Sequence, residues 1–182
     1  MRITKAELYD KYYSASRNLY LGDTEMPNHC HNRVTFYSDN TEDVAKLKQI
    51  FEDENCFGQI IPEPDWPNTP LAEKDVKRYS FSEPKGKVGE LPVKVDAPFE
   101  TYRFSSGEVD DRWYDWRVMN WDTKWDCYDV EVTDDDPECT EIQFNTAWSP
   151  PEAICNALRE QYPDVSISWF YDEPGCELAG YL

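Results

Sequence analysis

Between Cys127 and Tyr171 the hydrophobic pattern changes period repeatedly, and this succession constrains the fold more than any other feature of the chain. Cys127 to Thr133 alternates, with Tyr128, Val130 and Val132 on one face and Asp129 and Glu131 on the other. Thr140 to Trp148 alternates again through Ile142, Phe144, Thr146 and Trp148. A period of two marks half-buried strands. The link Asp134-Asp135-Asp136-Pro137 reads as a turn, so the two strands form an antiparallel hairpin. Ser149-Pro150-Pro151-Glu152 then opens a helix: Ser149 caps it, a proline suits the first helical position, and Glu152 closes a capping box. Ile154, Ala157 and Leu158 give its apolar stripe, Pro163 stops it, and Val165, Ile167, Trp169 and Tyr171 alternate in a last strand.

An equivalent pattern opens the core. Arg33 to Ser38 alternates Val34 and Phe36 against Thr35 and Tyr37. Thr41 is placed to cap a helix with Glu42 and Asp43 in its first turn and Val44, Leu47, Ile50 and Phe51 as its stripe. Phe57 to Ile61 (FGQII) reads as a short second strand, and Arg112 to Trp121 as a short helix with Trp113, Trp116 and Asn120 on one side. The order is β-α-β, insertion, β-β-α-β. That is an α+β sandwich, an antiparallel sheet with its helices on one face, in a split β-α-β (ferredoxin-like) arrangement.

Two segments lie outside this frame. Residues 1–24 read as an amphipathic helical arm, with Leu8, Tyr12, Ala15, Leu19 and Tyr20 at helical spacing, packing on the domain at 25–182 or on a second copy. Residues 62–112 hold seven of the 13 prolines, which excludes a long central strand or helix and marks an insertion. The expected state is a monomer or a homodimer.

Charge narrows function. Residues 101–182 carry five basic and nineteen acidic side chains, and the whole chain has a formal net charge of −19. An unfolded acidic tail would lack aromatics, yet this chain is 15% aromatic with Trp 7 and Tyr 12, so the acids coat a folded surface. Such a surface repels nucleic acid and anionic lipid and steers basic partners inward. No apolar run approaches the roughly 18 residues of a membrane span, and no basic-then-apolar segment opens the chain, so the expected location is the cytoplasm. Tyr128, Phe144, Trp169 and Tyr171 are the aromatics that a base-stacking sheet would use, but the negative field and the lack of an R/K-G-F-type signature argue against direct nucleic-acid binding.

Six cysteines (Cys30, Cys56, Cys127, Cys139, Cys155 and Cys176) show no C-x-x-C pair and no iron–sulfur spacing, which predicts free thiols and no cofactor. His29-Cys30-His31 is the one tight run of soft ligands. On an extended segment the histidines and the cysteine point to opposite faces, so they do not share one ion, and no metal site is expected. No P-loop, nucleophile elbow or H-E-x-x-H spacing occurs, so the chain is not expected to be an enzyme.

Four blocks then carry a resemblance. Met26-Pro27-Asn28-His29-Cys30-His31-Asn32 resembles the M-P-N-x-C-x-N opening of the YubB-type ferredoxin-like proteins of phages and plasmids. Asp115-Trp116-Arg117, with Asn120-Trp121-Asp122-Thr123-Lys124-Trp125-Asp126, is similar to that family's N-W-G-T-K-W-D block. Phe144-Asn145-Thr146-Ala147-Trp148-Ser149-Pro150-Pro151 resembles its F-x-T-A-W-S-P-P block, and Glu173-Pro174-Gly175 with Ala179-Gly180 its closing segment. Asp122 stands where the block has glycine, which puts a left-handed turn there in question. The resemblance implies an accessory protein of a mobile element and brings no activity with it.

Two candidate sites follow. The first is an acidic partner-binding surface of Asp110, Asp111, Asp129, Glu131, Asp134, Asp135, Asp136, Glu138 and Glu141. Same-face residues on a strand repeat at about 6.6–6.8 Å, close to the phosphate spacing of a stretched nucleic-acid backbone. Asp129 and Glu131, opposite Glu141 and Gln143, give such a row, which suits a host protein with a basic surface, such as a defence nuclease. The second is a pocket for an anion or nucleotide formed by Arg117, Asn120, Lys124, Trp125, Trp148 and Ser149, assisted by the positive end of the helix after Ser149. Its alternative is purely structural, with the tryptophans in the core and Lys124 paired to Asp115 or Asp126.

Overall fold

The computed structural model describes residues 28–76, 85–96 and 101–182; the helical arm expected at 1–24 lies outside them. Strand β1 (His29–Tyr37) leads through Asn40 into α1 (Thr41–Glu52). The cap falls one residue earlier than expected: the Asn40 side chain accepts from the Glu42 amide, and Thr41 is the first helical residue. After a long crossover come β4 (Tyr128–Asp136), β5 (Cys139–Ala147), α5 (Glu152–Gln161), β6 (Ser166–Glu173) and β7 (Leu178–Tyr181). The sheet order is β4-β5-β1-β6-β7, every neighbouring pair antiparallel. Without β7, this is two interleaved β-α-β halves, β1-α1-β4 and β5-α5-β6, the ferredoxin-like α+β order.

The core fills one face of the sheet. Val34, Phe36, Ile142, Phe144 and Trp169 are buried against Leu47 and Phe51 of α1 and Ile154, Cys155 and Leu158 of α5. Phe144 and Trp169 therefore stack on Phe51 inside the molecule, where they are closed to any base. On the other face His31, Arg33, Gln143 and Ser168 are exposed.

Three local expectations are corrected. Phe57–Ile61 is not a strand: Cys56–Ile60 forms a short helix, α2, that buries Cys56, Phe57 and Ile60. Five residues are too few to show a distinguishing period. Here Asn55 turns the chain through a left-handed conformation (φ 61°), and the Asp126 carboxylate accepts from the Phe57 amide at 3.0 Å. With that strand gone, β4 is the second strand of the first half. The hairpin turn also moves: Asp134, Asp135 and Asp136 are strand residues opposite Glu141, Thr140 and Cys139, and the chain reverses at Pro137-Glu138. Finally, Ser149 does not cap α5, whose N-cap is Pro151 without a side-chain bond.

The crossover builds α3 (Glu73–Val76), a hairpin of β2 (Val93–Val95) and β3 (Thr101–Arg103), and α4 (Arg112–Asn120). Leu71 and Phe104 form a small satellite core there, and Gly107 (φ 91°) closes the turn after β3 in a conformation that favours glycine.

Candidate functional site

The β4-β5 hairpin gathers most of the expected acidic surface. Asp129, Glu131, Asp134, Asp135, Asp136 and Glu138 are exposed, and Glu141 is half-buried. No Lys, Arg or His occurs between Lys124 and Arg159, so relief comes only from other elements. Lys48 of α1 reaches Asp135 at 2.7 Å, and Arg33 of β1 lies 3.9 Å from Glu141. The row is not evenly spaced. Register shifts follow Tyr128 and Val132, so Glu131 faces Gln143 while Glu141 faces Asp134, and Asp129 sits at φ 53°. The extra bulge residues break the strict period of two.

Asp110 does not belong to that surface. Its side chain and that of Arg112 are each 3% exposed and joined at 2.7 Å. Arg112 also donates to the carbonyls of Pro70 and Trp66 and lies over the Trp66 and Phe104 rings. Asp110 thus completes the anchor of the insertion. Its neighbour Asp111, half-buried, pairs with Lys85.

The residues expected to form an anion pocket are already engaged by other groups of the chain. Arg117 pairs with Glu63 at 2.6 Å and lies over the rings of Trp113 and Trp121. Asn120 donates to the Trp116 carbonyl within its own helix, and Ser149 donates to the Asp122 carbonyl. Asp122 adopts φ 63°, so the left-handed turn exists without its glycine. Its carboxylate accepts from the Ala153 amide at 2.9 Å, so the N-terminus of α5 already holds an anion from this chain.

Lys124 sits between two indoles, its Nζ 4.0 Å from the Trp125 ring centre and 3.9 Å from that of Trp148. Only 6% of the residue is exposed, and burial lowers its pKa to about 8. Among the described residues it makes no ion pair, with Asp115 and Asp126 included; Asp126 instead accepts from the amides of Phe57 and Cys127. Cation–π attraction from the two indoles offsets part of the cost of burying the ammonium. Thr123 fastens this loop to the Ala147 carbonyl, so the Asn120–Asp126 and Phe144–Pro151 blocks are two walls of one contact.

On the open face, His31 and Asn145, unread in the sequence, join Asp129, Glu131 and Gln143 of the expected row in one polar cluster. His31, Asp129, Glu131, Gln143 and Asn145 line a shallow hollow of about 220 Å³. His31 Nδ1 donates to Asn145 Oδ1 at 2.7 Å, and Asn145 Nδ2 donates to Asp129 Oδ2 at 3.1 Å. The signal is the pairing of His31 with Asn145 across β1 and β5, which no local window contains. Cys30, between the two histidines, points into the core, where burial raises its thiol to about 12.

Comparison with protein families reaches the last third of the chain. Residues 120–182 match the family model described as the ferredoxin-like domain in Api92-like protein. The matched span holds the Lys124 cage, the acidic hairpin, α5 and the last two strands. A crystal structure of a protein api92 from Yersinia pseudotuberculosis is 10% identical, with a TM-score of 0.46 over 86% of this chain and 93% of that one. No curated protein matches the chain.

Proposed function

We propose that this chain is a non-enzymatic binding protein that offers its β4-β5 hairpin to a basic groove on a host protein, where it stands in for a nucleic-acid backbone. The observation that carries this reading is the run of exposed carboxylates Asp134, Asp135, Asp136 and Glu138 on a hairpin with no basic residue of its own. Asp129, Glu131 and the half-buried Glu141 extend the charge along the strands. Like charges held on paired strands repel one another, so the arrangement weakens the free protein and is relieved by a cationic surface. The resemblance to YubB-type proteins supports an accessory role for a phage or plasmid in the host cytoplasm, with a defence nuclease or another nucleic-acid enzyme as the class of target.

The test is affinity capture at low salt with the full chain as bait, beside the variant D134N/D135N/D136N/E138Q. The expected partner elutes when duplex DNA or salt is added and is not retained by the variant. Equal capture by bait and variant, or a partner indifferent to duplex DNA, refutes the proposal.

A further inference from the structure

Cys56 opens α2 and Asp126-Cys127 precede β4, about 70 residues apart in the chain, so no spacing motif joins them. The fold nevertheless brings the two Sγ atoms and a carboxylate oxygen within 4.8 Å of one another. We propose that Cys56, Asp126 and Cys127 form a binding site for a thiophilic divalent cation, zinc in the first instance, with water as the fourth ligand.

Three observations converge. The donor set is two sulfurs and one oxygen, which suits zinc and disfavours magnesium or calcium. Zinc–sulfur bonds of roughly 2.3 Å and zinc–oxygen bonds of roughly 2.1 Å put tetrahedral ligand atoms about 3.5–3.8 Å apart, so small rotations suffice from the present separations. Asp126 also carries an unspent oxygen. Its other carboxylate oxygen, Oδ1, accepts from the amides of Phe57 (3.0 Å) and Cys127 (2.8 Å), while Oδ2 is buried with no hydrogen-bond partner. A buried acceptor without a well-placed donor is costly and rare in folded proteins; the Cys127 thiol beside this carboxylate is a weak donor, and a cation beside Oδ2 is the stronger partner. Two amides fix the carboxylate in place, the kind of outer support that metal ligands receive. Cys56 is fully buried and Cys127 half-buried, so the site has a supported side and an entrance. Zinc there, displacing both thiol protons, ties α2 to the start of β4 and closes the base of the whole crossover.

The experiment uses the full chain, reduced with a phosphine, and Co²⁺ as the spectroscopic probe. One equivalent of Co²⁺ is expected to give a thiolate-to-cobalt charge-transfer band with intense tetrahedral d–d bands, both erased by Zn²⁺ and untouched by Mg²⁺ or Ca²⁺. C127S is expected to lose roughly a hundredfold or more in Zn²⁺ affinity, and D126N roughly tenfold or more, since it keeps an acceptor for the two amides. C139S, which removes a thiol on β5, is expected to bind as the parent does. Zn²⁺ should raise the unfolding temperature of the parent and of C139S but not of C127S. The site is refuted if Co²⁺ gives no thiolate band at one equivalent, if C127S retains it, or if C139S loses it.

Discussion

At Asp122 the backbone is left-handed and the carboxylate closes the N-terminus of α5, so one residue carries a cost and a gain. A non-glycine residue at that φ costs about 1–2 kcal/mol, and loss of a helix cap costs about 1 kcal/mol. D122G removes both and adds glycine's chain-entropy cost of about 0.5–1 kcal/mol, so it is expected to leave stability within about 1 kcal/mol of the parent. D122A keeps the strain and loses the cap, which predicts a loss of about 1–2 kcal/mol. D122N retains a capping oxygen and tolerates the left-handed region, so it should stay near the parent. Urea unfolding of the three variants separates these outcomes, and parental stability in D122A would dismiss the capping role. The turn itself was legible in the sequence as a departure from a glycine-bearing block. The cap was not, because the amide that receives it lies 31 residues further on.

Among the elements, those at 128–171 are readable because each is long enough to show its own period and is bounded by proline or acidic turns. Strand β1 and helix α1 are readable for the same reason. Helix α2 is not, since it takes its form from a carboxylate some 70 residues away and from burial against α1 and α5. Asp110 illustrates the same limit at the candidate site: in the sequence it is one more acid, while in the fold it neutralises a guanidinium that four parts of the insertion share. Removing one partner of a buried pair costs about 3–5 kcal/mol, whereas replacing both with apolar groups of similar volume is often neutral. D110A should therefore release the insertion. Hydrogen exchange is expected to speed at the amides of Leu71, Gly89, Phe104 and Asp110, which now bond within it, while β1, β5 and β6 keep their protection. D110L/R112M should recover most of the loss. Uniform exchange in D110A would mean that the pair does not hold the insertion.

For the whole molecule, a net charge of −19 with the hairpin as its densest part sets two salt dependences of opposite sign. Self-repulsion among exposed carboxylates destabilises the compact state, and salt screens it: the Debye length shrinks from about 10 Å at 0.1 M to about 3 Å at 1 M. The unfolding temperature of the parent should rise with sodium chloride across that range, and D134N/D135N/D136N/E138Q should start higher at low salt and rise less. Attraction to a basic partner is screened by the same ions, so capture should weaken as stability improves. A hairpin shaped only for solubility predicts the first trend without the second, because no complementary charge then waits to be screened. Measuring both over one salt series with the parent and the variant distinguishes the two cases. Salt-independent capture would show that the contact is apolar, and the exposed Val93 of β2, with Val88 and Leu91 just before it, would then become the surface to mutate next.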